Sequence, residues 1–228
     1  MLKADLHMHT DTDKTDKLHY SARQLIDHAA SLKLDVISIT HHDELWWDKK
    51  MVAYAEKKGI LLIPGAELTL DGKHVLVLNI TEEDIANVKT LADLPKLRRE
   101  ETLVVAPHPF FRMGSCLGKK LLSNISSFDA IEYSHFYTRF INPNKMAVKV
   151  SRRYRKPMLG SSDSHLLVDM GTTYTYIDAR KDPRDIILAI KKGNIRIVTR
   201  PLSLSYFLRK ALFLFTRIRL GFDIPKSL

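Results

Sequence analysis

The sequence has a single cysteine, Cys116, among 228 residues. A disulfide scaffold and a cysteine-based zinc ribbon are therefore excluded, and any bound metal must be held by His, Asp and Glu. Long apolar runs are missing as well. No stretch approaches the roughly 18 uninterrupted apolar residues of a membrane-spanning helix. The most apolar stretch, Tyr206 to Leu220, is broken by Arg209, Lys210, Arg217 and Arg219. The start, Met1 to Thr10, has neither an apolar core nor cleavage-like small residues, so no signal peptide is expected. A cytoplasmic protein, touching a membrane at most peripherally, is the expectation. Only nine Gly and nine Pro are present, which excludes fibrous and low-complexity classes. Acidic residues are in the minority: Lys+Arg 36 against Asp+Glu 26 leaves +10. Such a balance favours anionic partners.

What is present reads as one ordinary globular unit. Apolar residues make up 45% and charged residues 27%, enough for a core and too apolar for default disorder. Short apolar runs alternate with capped helical patterns. Val36 to Ile39, Ile60 to Ile63, Leu103 to Ala106 and Ala130-Ile131 have the run-like character of buried parallel strands. Ser21-Ala-Arg-Gln24 is a capping box, Thr81 opens a second helix, and Asp182-Pro183 opens a third that Gly193 ends. Leu68 to Leu78 differs and predicts a hairpin turning at Asp71-Gly72. The order implies an α/β fold with a mostly parallel sheet and outer helices.

Candidate ligands fall where the predicted strands end. Leu2 to Leu6 leads to His7-Met8-His9, and Val36 to Ile39 leads to Thr40-His41-His42-Asp43. Ile60 to Ile63 leads to Pro64-Gly65-Ala66-Glu67, and Leu103 to Ala106 to Pro107-His108-Pro109. Ala130 to Tyr133 leads to Ser134-His135, and Pro157 to Leu159 to Gly160-Ser-Ser-Asp163-Ser-His165. In a parallel barrel all such strand ends meet at one face. The two rings of His-x-His share a strand face. A His and carboxylate cluster without thiolate suits Zn, Mn or Fe. His19 and His28 read as solvated, whereas His74 either leans over the site or pairs across strands.

These motifs resemble the PHP (polymerase and histidinol phosphatase) domain family. The resemblance runs over about residues 3 to 180, through Asp5-Leu-His-Met-His-Thr10, Ile39-Thr-His-His-Asp43, Pro64-Gly-Ala-Glu67, His108-Pro109 and Gly160-Ser-Ser-Asp-Ser-His165. It implies a distorted, TIM-barrel-like barrel of seven β/α units, here with a hairpin insertion after the third strand. The barrel domain would span 1–200 and a basic amphipathic tail 201–228. The resemblance further implies two to three divalent ions (Mn, Zn or Fe). His7, His9, Glu67 and Asp163 would hold the first; Glu67 would bridge to a second completed by His108 and His135. His42 and His165 would hold the third with one loop carboxylate, Asp11, Asp13 or Asp16, the spacing favouring Asp16 or Asp13. Where relatives carry Thr-Asp-His-Asp, this chain has His41 in place of the carboxylate. That ring would either support the ligands or face the substrate as an acid.

The expected activity is metal-dependent hydrolysis of a phosphate ester, a small phosphorylated metabolite or a nucleotide, by a metal-activated hydroxide. His41 and His74 are candidate acids for the leaving group. Arg112 and Arg139 each follow a ligand-bearing strand and could clamp phosphate. Phe110 and Phe111 would lie near the mouth, stacking on a ring or packing under the loop. In the tail, Phe207, Leu208, Ala211, Phe215 and Ile218 share one helical side, and Arg209, Lys210 and Arg217 another, with Phe213 among them. The reading adopted is a helix closing the barrel bottom or packing along its side; an anionic membrane surface or an oligomer contact are the alternatives. Competing functions are a 3′ exonuclease or phosphodiesterase on nucleic-acid ends, and a non-catalytic metal-binding scaffold with a docking tail. An amidohydrolase barrel also opens with His-x-His, but Asp163-x-His165 and the Pro-Gly-Ala-Glu67 motif argue against it.

Overall fold

A computed structural model describes residues 1–220, with side chains described through residue 212. The chain opens with β1 (Leu2–Asp5), α1 (Ala22–Ser31), β2 (Val36–Ile37), α2 (Lys49–Lys57) and β3 (Leu61–Leu62). A hairpin of β4 (Gly65–Leu70) and β5 (Lys73–Leu78) follows, then α3 (Glu82–Asn87), β6 (Leu103–Ala106), α4 (Lys119–Ser123) and β7 (Ala130–Ser134). The rest is α5 (Asn144–Tyr154), β8 (Met158–Ser161), β9 (Thr173–Ile177), α6 (Pro183–Lys192), β10 (Ile195–Thr199) and α7 (Leu204–Leu220).

Local chemistry sets most of these boundaries. Ser21 and Gln24 form a reciprocal capping box at α1, and Thr81 and Asp84 do the same at α3. Asp182 accepts from the amide of Asp185, Pro183 takes the first helical turn, and Gly193 ends α6 at φ 78°. Asp71 and Gly72, at φ 50° and 70°, make the hairpin turn, where both central residues need the left-handed region.

The strands form two five-stranded sheets, ordered β10-β9-β1-β2-β3 and β4-β5-β6-β7-β8. Among the described residues no ladder of these strands joins the two sheets; isolated parallel bridges, His42 with Glu67 and Met8 with Ser164, link the segments that follow them. The hairpin is a member of the second sheet, since β5 pairs antiparallel with both β4 and β6. β9 likewise pairs antiparallel with β1 and β10, so each sheet mixes directions. The reversed run of β5 carries its start, with His74, toward the end of β6 that precedes His108.

Glycines and hydroxyls line both seams between the sheets. A Cβ on Gly65 would lie 2.6 Å from Ser38 Oγ and 2.9 Å from Thr40 Cγ2. A Cβ on Gly160 would lie 2.7 Å from Ile197 Cγ2 and 3.1 Å from the carbonyl of Tyr174. At the second seam the Thr175 hydroxyl accepts from the Gly160 amide at 2.8 Å and donates to its carbonyl at 2.9 Å. One side chain thus satisfies both backbone groups that a ladder would pair.

One core lies between the sheets. It takes Ala4, Val36, Leu76, Val105, Ala130, Leu159 and Ile177 from seven strands, and α6 packs Ile186, Ile187 and Ile190 against it. A second core under α1 and α2 covers the outer face of the first sheet, and a third around Phe128 covers the second. α6 therefore covers one end of this core. α7 starts beside the loops that carry the candidate ligands, as described below. No helix among the described residues is long and apolar enough to cross a membrane.

Candidate metal centre

Glu67, in the middle of β4 and 1% exposed, is the hub of the site. Its Oε2 lies 3.3 Å from His7 Nε2, 3.5 Å from His9 Nε2 and 3.2 Å from His42 Nε2. Its Oε1 lies 3.0 Å from His74 Nδ1 and 3.1 Å from His108 Nε2. Opposite, Asp163 Oδ1 stands 3.5 Å from both His7 and His9 Nε2 and 3.6 Å from His165 Nδ1. Asp16 Oδ2 accepts from His165 Nε2 at 2.9 Å and lies 3.7 Å from His42 Nδ1. His108 and Asp163 hold φ values of 28° and 45°, a region that costs non-glycine residues energy. Strain of that kind is retained where it aims a side chain.

A second layer of acids orients the rings. His7 Nδ1 bonds Glu132 Oε1 at 2.8 Å, and His9 Nδ1 bonds Asp13 Oδ2 at 2.8 Å. Asp13 Oδ2 also takes His42 Nδ1 at 3.0 Å and the His42 amide at 3.1 Å. With Nδ1 donating, the lone pairs of His7 and His9 sit on Nε2 and face the carboxylates. Both Nε2 atoms and Asp163 Oδ1 are buried without a hydrogen-bond partner among the described residues. A buried orphan costs about 1–3 kcal/mol, and three acceptors facing one point call for a cation. Nitrogen and oxygen donors without sulfur fit Mn, Fe or Zn. The residues therefore fit a divalent metal centre.

Electrostatics tell the same story. Burial would raise the Glu67 carboxyl, yet the rings of His7 and His74 hold it well below its ordinary value. Burial would likewise raise Asp163, and His7 and His165 hold it well below. Burial would lower His7 and His108, but the surrounding carboxylates, and for His108 also its contact with Cys116, push both well above the usual histidine range. His41 behaves oppositely: burial pushes it down to about 4.

A model of the PHP domain matches residues 5–159, and a PHP-associated model matches 142–195. The chain belongs to the PHP family. Among relatives of this PHP protein, an uncharacterized protein of Methanocaldococcus jannaschii is 26% identical over 178 residues, covering 76% of this chain and 69% of the relative. Among solved structures, PsfC from Pseudomonas syringae aligns with a TM-score of 0.63 at 19% identity, over 96% of this chain and 98% of the other. The lesion-specific endonuclease PfuEndoQ from Pyrococcus furiosus aligns with a TM-score of 0.56 at 14% identity, over 99% of this chain and 67% of the other.

The PHP chain brings most of the residues named from its sequence together, though not all. His7, His9, His42, Glu67, His108, Asp163, His165 and Asp16 converge as described. Asp13 is the supporting acid behind His9 and His42, and Asp11 is exposed. His74 leans toward Glu67 and lines a cavity of about 740 Å³ above the cluster. His41 does not line that cavity. Its Nε2 bonds the Thr10 hydroxyl at 2.8 Å, and its Nδ1 lies 3.4 Å from Glu44. Arg112 lines the cavity, whereas Arg139 lines a separate groove with Phe140 and Arg200.

His135 also departs from the expected ligand set. It lines the cavity, but its Nε2 faces Lys210 Nζ at 3.0 Å and Asp169 Oδ1 at 3.5 Å. Among the described residues it joins none of the groups of three or more His, Asp or Glu that could share an ion. The tail departs as well. Phe207 and Lys210 are buried on the side facing the cavity, while Leu208 and Leu212 are exposed at 54% and 64%. The pattern that grouped Leu208 with Phe207 and set Lys210 opposite is thereby corrected: cavity contacts, not hydropathy, orient this helix. Phe213, Phe215, Arg217 and Ile218 lie outside the described side chains.

Sequence reading missed Glu132, Asp169 and Tyr206. Glu132 had a signal, a lone acid inside the apolar strand Ala130 to Tyr133, fully buried here. Asp169 and Tyr206 had none, because their partners lie far away along the chain.

Proposed function

We propose that this PHP protein is a metal-dependent hydrolase of phosphate esters, acting on a small phosphorylated metabolite or nucleotide. The observation that carries this reading is Glu67, whose two oxygens face separate sets of imidazoles at the floor of a cavity rimmed by Phe111, Phe136 and Phe207. Divalent ions, Mn, Zn or Fe, would be held by His7, His9, Glu67 and Asp163 and by His42, Asp16 and His165. Bound there, such ions supply Lewis acidity and lower the pKa of water.

The chain's own residues do the rest. The His74 side chain is 18% exposed and stands at the cavity wall, suited to giving a proton to the leaving alkoxide. His41, neutral and bonded to Thr10, steadies the loop after β1. Arg112 at the rim offers a fork to phosphoryl oxygens. Phe111 and Phe136 stack at 6.5 Å, and Phe136 and Phe207 at 4.4 Å, giving an apolar wall for the part of the substrate that carries the phosphate. That wall favours a nucleotide over a small polar ester. Residues 1–200 supply every proposed ligand, and the start of α7, through Phe207 and Lys210, lines the same cavity.

A second reading is hydrolysis of nucleic-acid ends. The net charge of +10 supports it, and the similar PfuEndoQ structure, an endonuclease, speaks for nucleic acid as a substrate class though not for its ends. Purified protein supplied with manganese should hydrolyse an aryl phosphate and nucleoside monophosphates, and His9→Ala should abolish this. Activity confined to DNA or RNA ends, with a steep fall as salt rises, favours the second reading. Turnover unaffected by His9→Ala removes both.

A further inference from the structure

Lys210 stands where the family motif leads one to look for a metal ion. It lies outside both matched stretches, 5–159 and 142–195. Its side chain is nevertheless 4% exposed and lines the cavity with Glu67, His108 and His135. Nζ donates to His135 Nε2 at 3.0 Å and to Asp169 Oδ2 at 2.6 Å. An ammonium has three donors and no acceptor, so the contact with His135 takes up the Nε2 lone pair. That is the lone pair a metal ion would use.

The placement is built rather than incidental. Burying a lysine is costly unless its charge is paired. Asp169 is fully buried and provides the partner. One helical turn earlier, the Tyr206 hydroxyl donates to Asp169 Oδ1 at 2.8 Å, so residues i and i+4 of α7 grip the same carboxylate. Phe207 stacks on Phe136 at 4.4 Å, and Nζ sits 5.6 Å from the Phe136 ring. Asp169 follows Asp163 and His165 on the same loop, so the segment that aims two proposed ligands also anchors the lysine.

We propose that the Lys210 ammonium replaces the metal ion that His135 would otherwise help to bind, giving this chain a fixed positive charge at that place. A divalent ion ligated by His135 Nε2 would meet a like charge within a few ångström. With two N–H bonds given to His135 and Asp169, the third is left for a phosphoryl oxygen of the substrate, the partner that ion would have had. The proposal rests on the metal-dependent reading above and deepens it.

The test is ion content per chain by elemental analysis, on full-length protein loaded with manganese and desalted. Lys210→Met should take up one ion more than the wild type, because His135 and Asp169 are then free to bind it. His135→Ala should leave the wild-type count unchanged, whereas His9→Ala should lower it. Circular dichroism and a thermal melt establish that each variant is folded, and the His135→Ala count decides should Lys210→Met fail to fold. Equal counts in wild type and folded Lys210→Met overturn the proposal, as does a lower count in His135→Ala. In both cases the metal-dependent reading stands. A wild-type chain that binds no ion overturns that reading and this proposal together.

Discussion

Glu132 holds His7 from behind: its Oε1 lies 2.8 Å from His7 Nδ1, and neither residue is exposed. The same carboxylate accepts from the His108 amide at 2.6 Å and the Ser161 hydroxyl at 2.5 Å. One acid on β7 therefore ties together three segments that carry candidate ligands. Glu132→Ala should weaken metal binding by about 10–100-fold, as loss of such partners does. It should also destabilise the fold by about 3–5 kcal/mol, since it leaves buried donors without an acceptor. A metal titration and a urea melt check both, and an unchanged affinity removes the orienting role.

Protein stripped of metal by a chelator should be pH-sensitive in a defined sense. His42 is raised to about 10: burial opposes this, and Asp13 and Glu67 outweigh it. His165 is raised to about 9, with burial outweighed by Asp163 and Asp16. A ring with a raised folded pKa contributes stability that is complete below its ordinary 6.5 and is lost as pH climbs through the folded value. Stability of the stripped protein should thus fall between roughly pH 6.5 and 10. Added manganese should restore it most at the alkaline end, because ions need deprotonated rings. Urea melts across this range decide it, and a stability that rises with pH in the stripped protein contradicts the reading.

The two candidate acids separate by leaving group. His74→Ala should lower kcat by about 10²–10⁴ for an alkyl phosphate, whose leaving group needs a proton. It should change hydrolysis of an activated aryl phosphate far less. His41→Ala should show no such split and should instead cost about 1 kcal/mol of stability by removing the nearer of the Thr10 hydroxyl's two hydrogen-bond partners, leaving Thr12. Kinetics on paired substrates distinguish the two, and a split on His41→Ala would reverse the assignment.

The aromatic wall predicts a selective effect on substrate affinity. Phe111→Ala should raise KM for a nucleotide by about 3–10-fold, in line with roughly 1 kcal/mol for an aromatic pair. KM for glycerol phosphate should hardly move. Equal effects on both substrates would mean that the ring only packs the loop.

The seam between the sheets is sensitive to a single methyl group. Gly160→Ala places a Cβ 3.1 Å from the Tyr174 carbonyl, which is backbone and cannot swing away. A loss of about 1–3 kcal/mol is expected. A thermal melt should fall by about 2–4 °C per kcal/mol in a chain of this size. An unchanged melt means that the sheets can part there without cost.

Most of the candidate ligand positions were legible in the sequence because each is a local event. At His7, His42, His108 and Asp163 a strand ends, the chain turns, and a polar side chain appears where apolar ones stop; Glu67 instead lies inside β4. His7 and His9 share a face for the same reason that alternate residues do on any strand. The caps at Ser21, Thr81 and Asp182 and the Asp71-Gly72 turn were legible because a few neighbouring dihedrals and hydrogen bonds decide them. The division into two sheets was not legible, because it depends on which strands ladder across a seam; isolated bridges such as His42 with Glu67 and side chains such as Thr175 make the link there. The division of labour between Asp13 and Asp16 depends on which of them a distant ring meets.

The sequence by itself determined the donor chemistry, nitrogen and oxygen without sulfur, and the strand ends on which it is carried. Tertiary structure decided the pairings: Glu132 behind His7 across 125 residues, and Lys210 against His135 across 75. A side chain's partner over such a span is set by how sheets and helices pack, not by neighbouring dihedrals. The helix carrying Lys210 could be read from its composition, whereas the face it buries follows from the carboxylate of Asp169 waiting at the cavity edge.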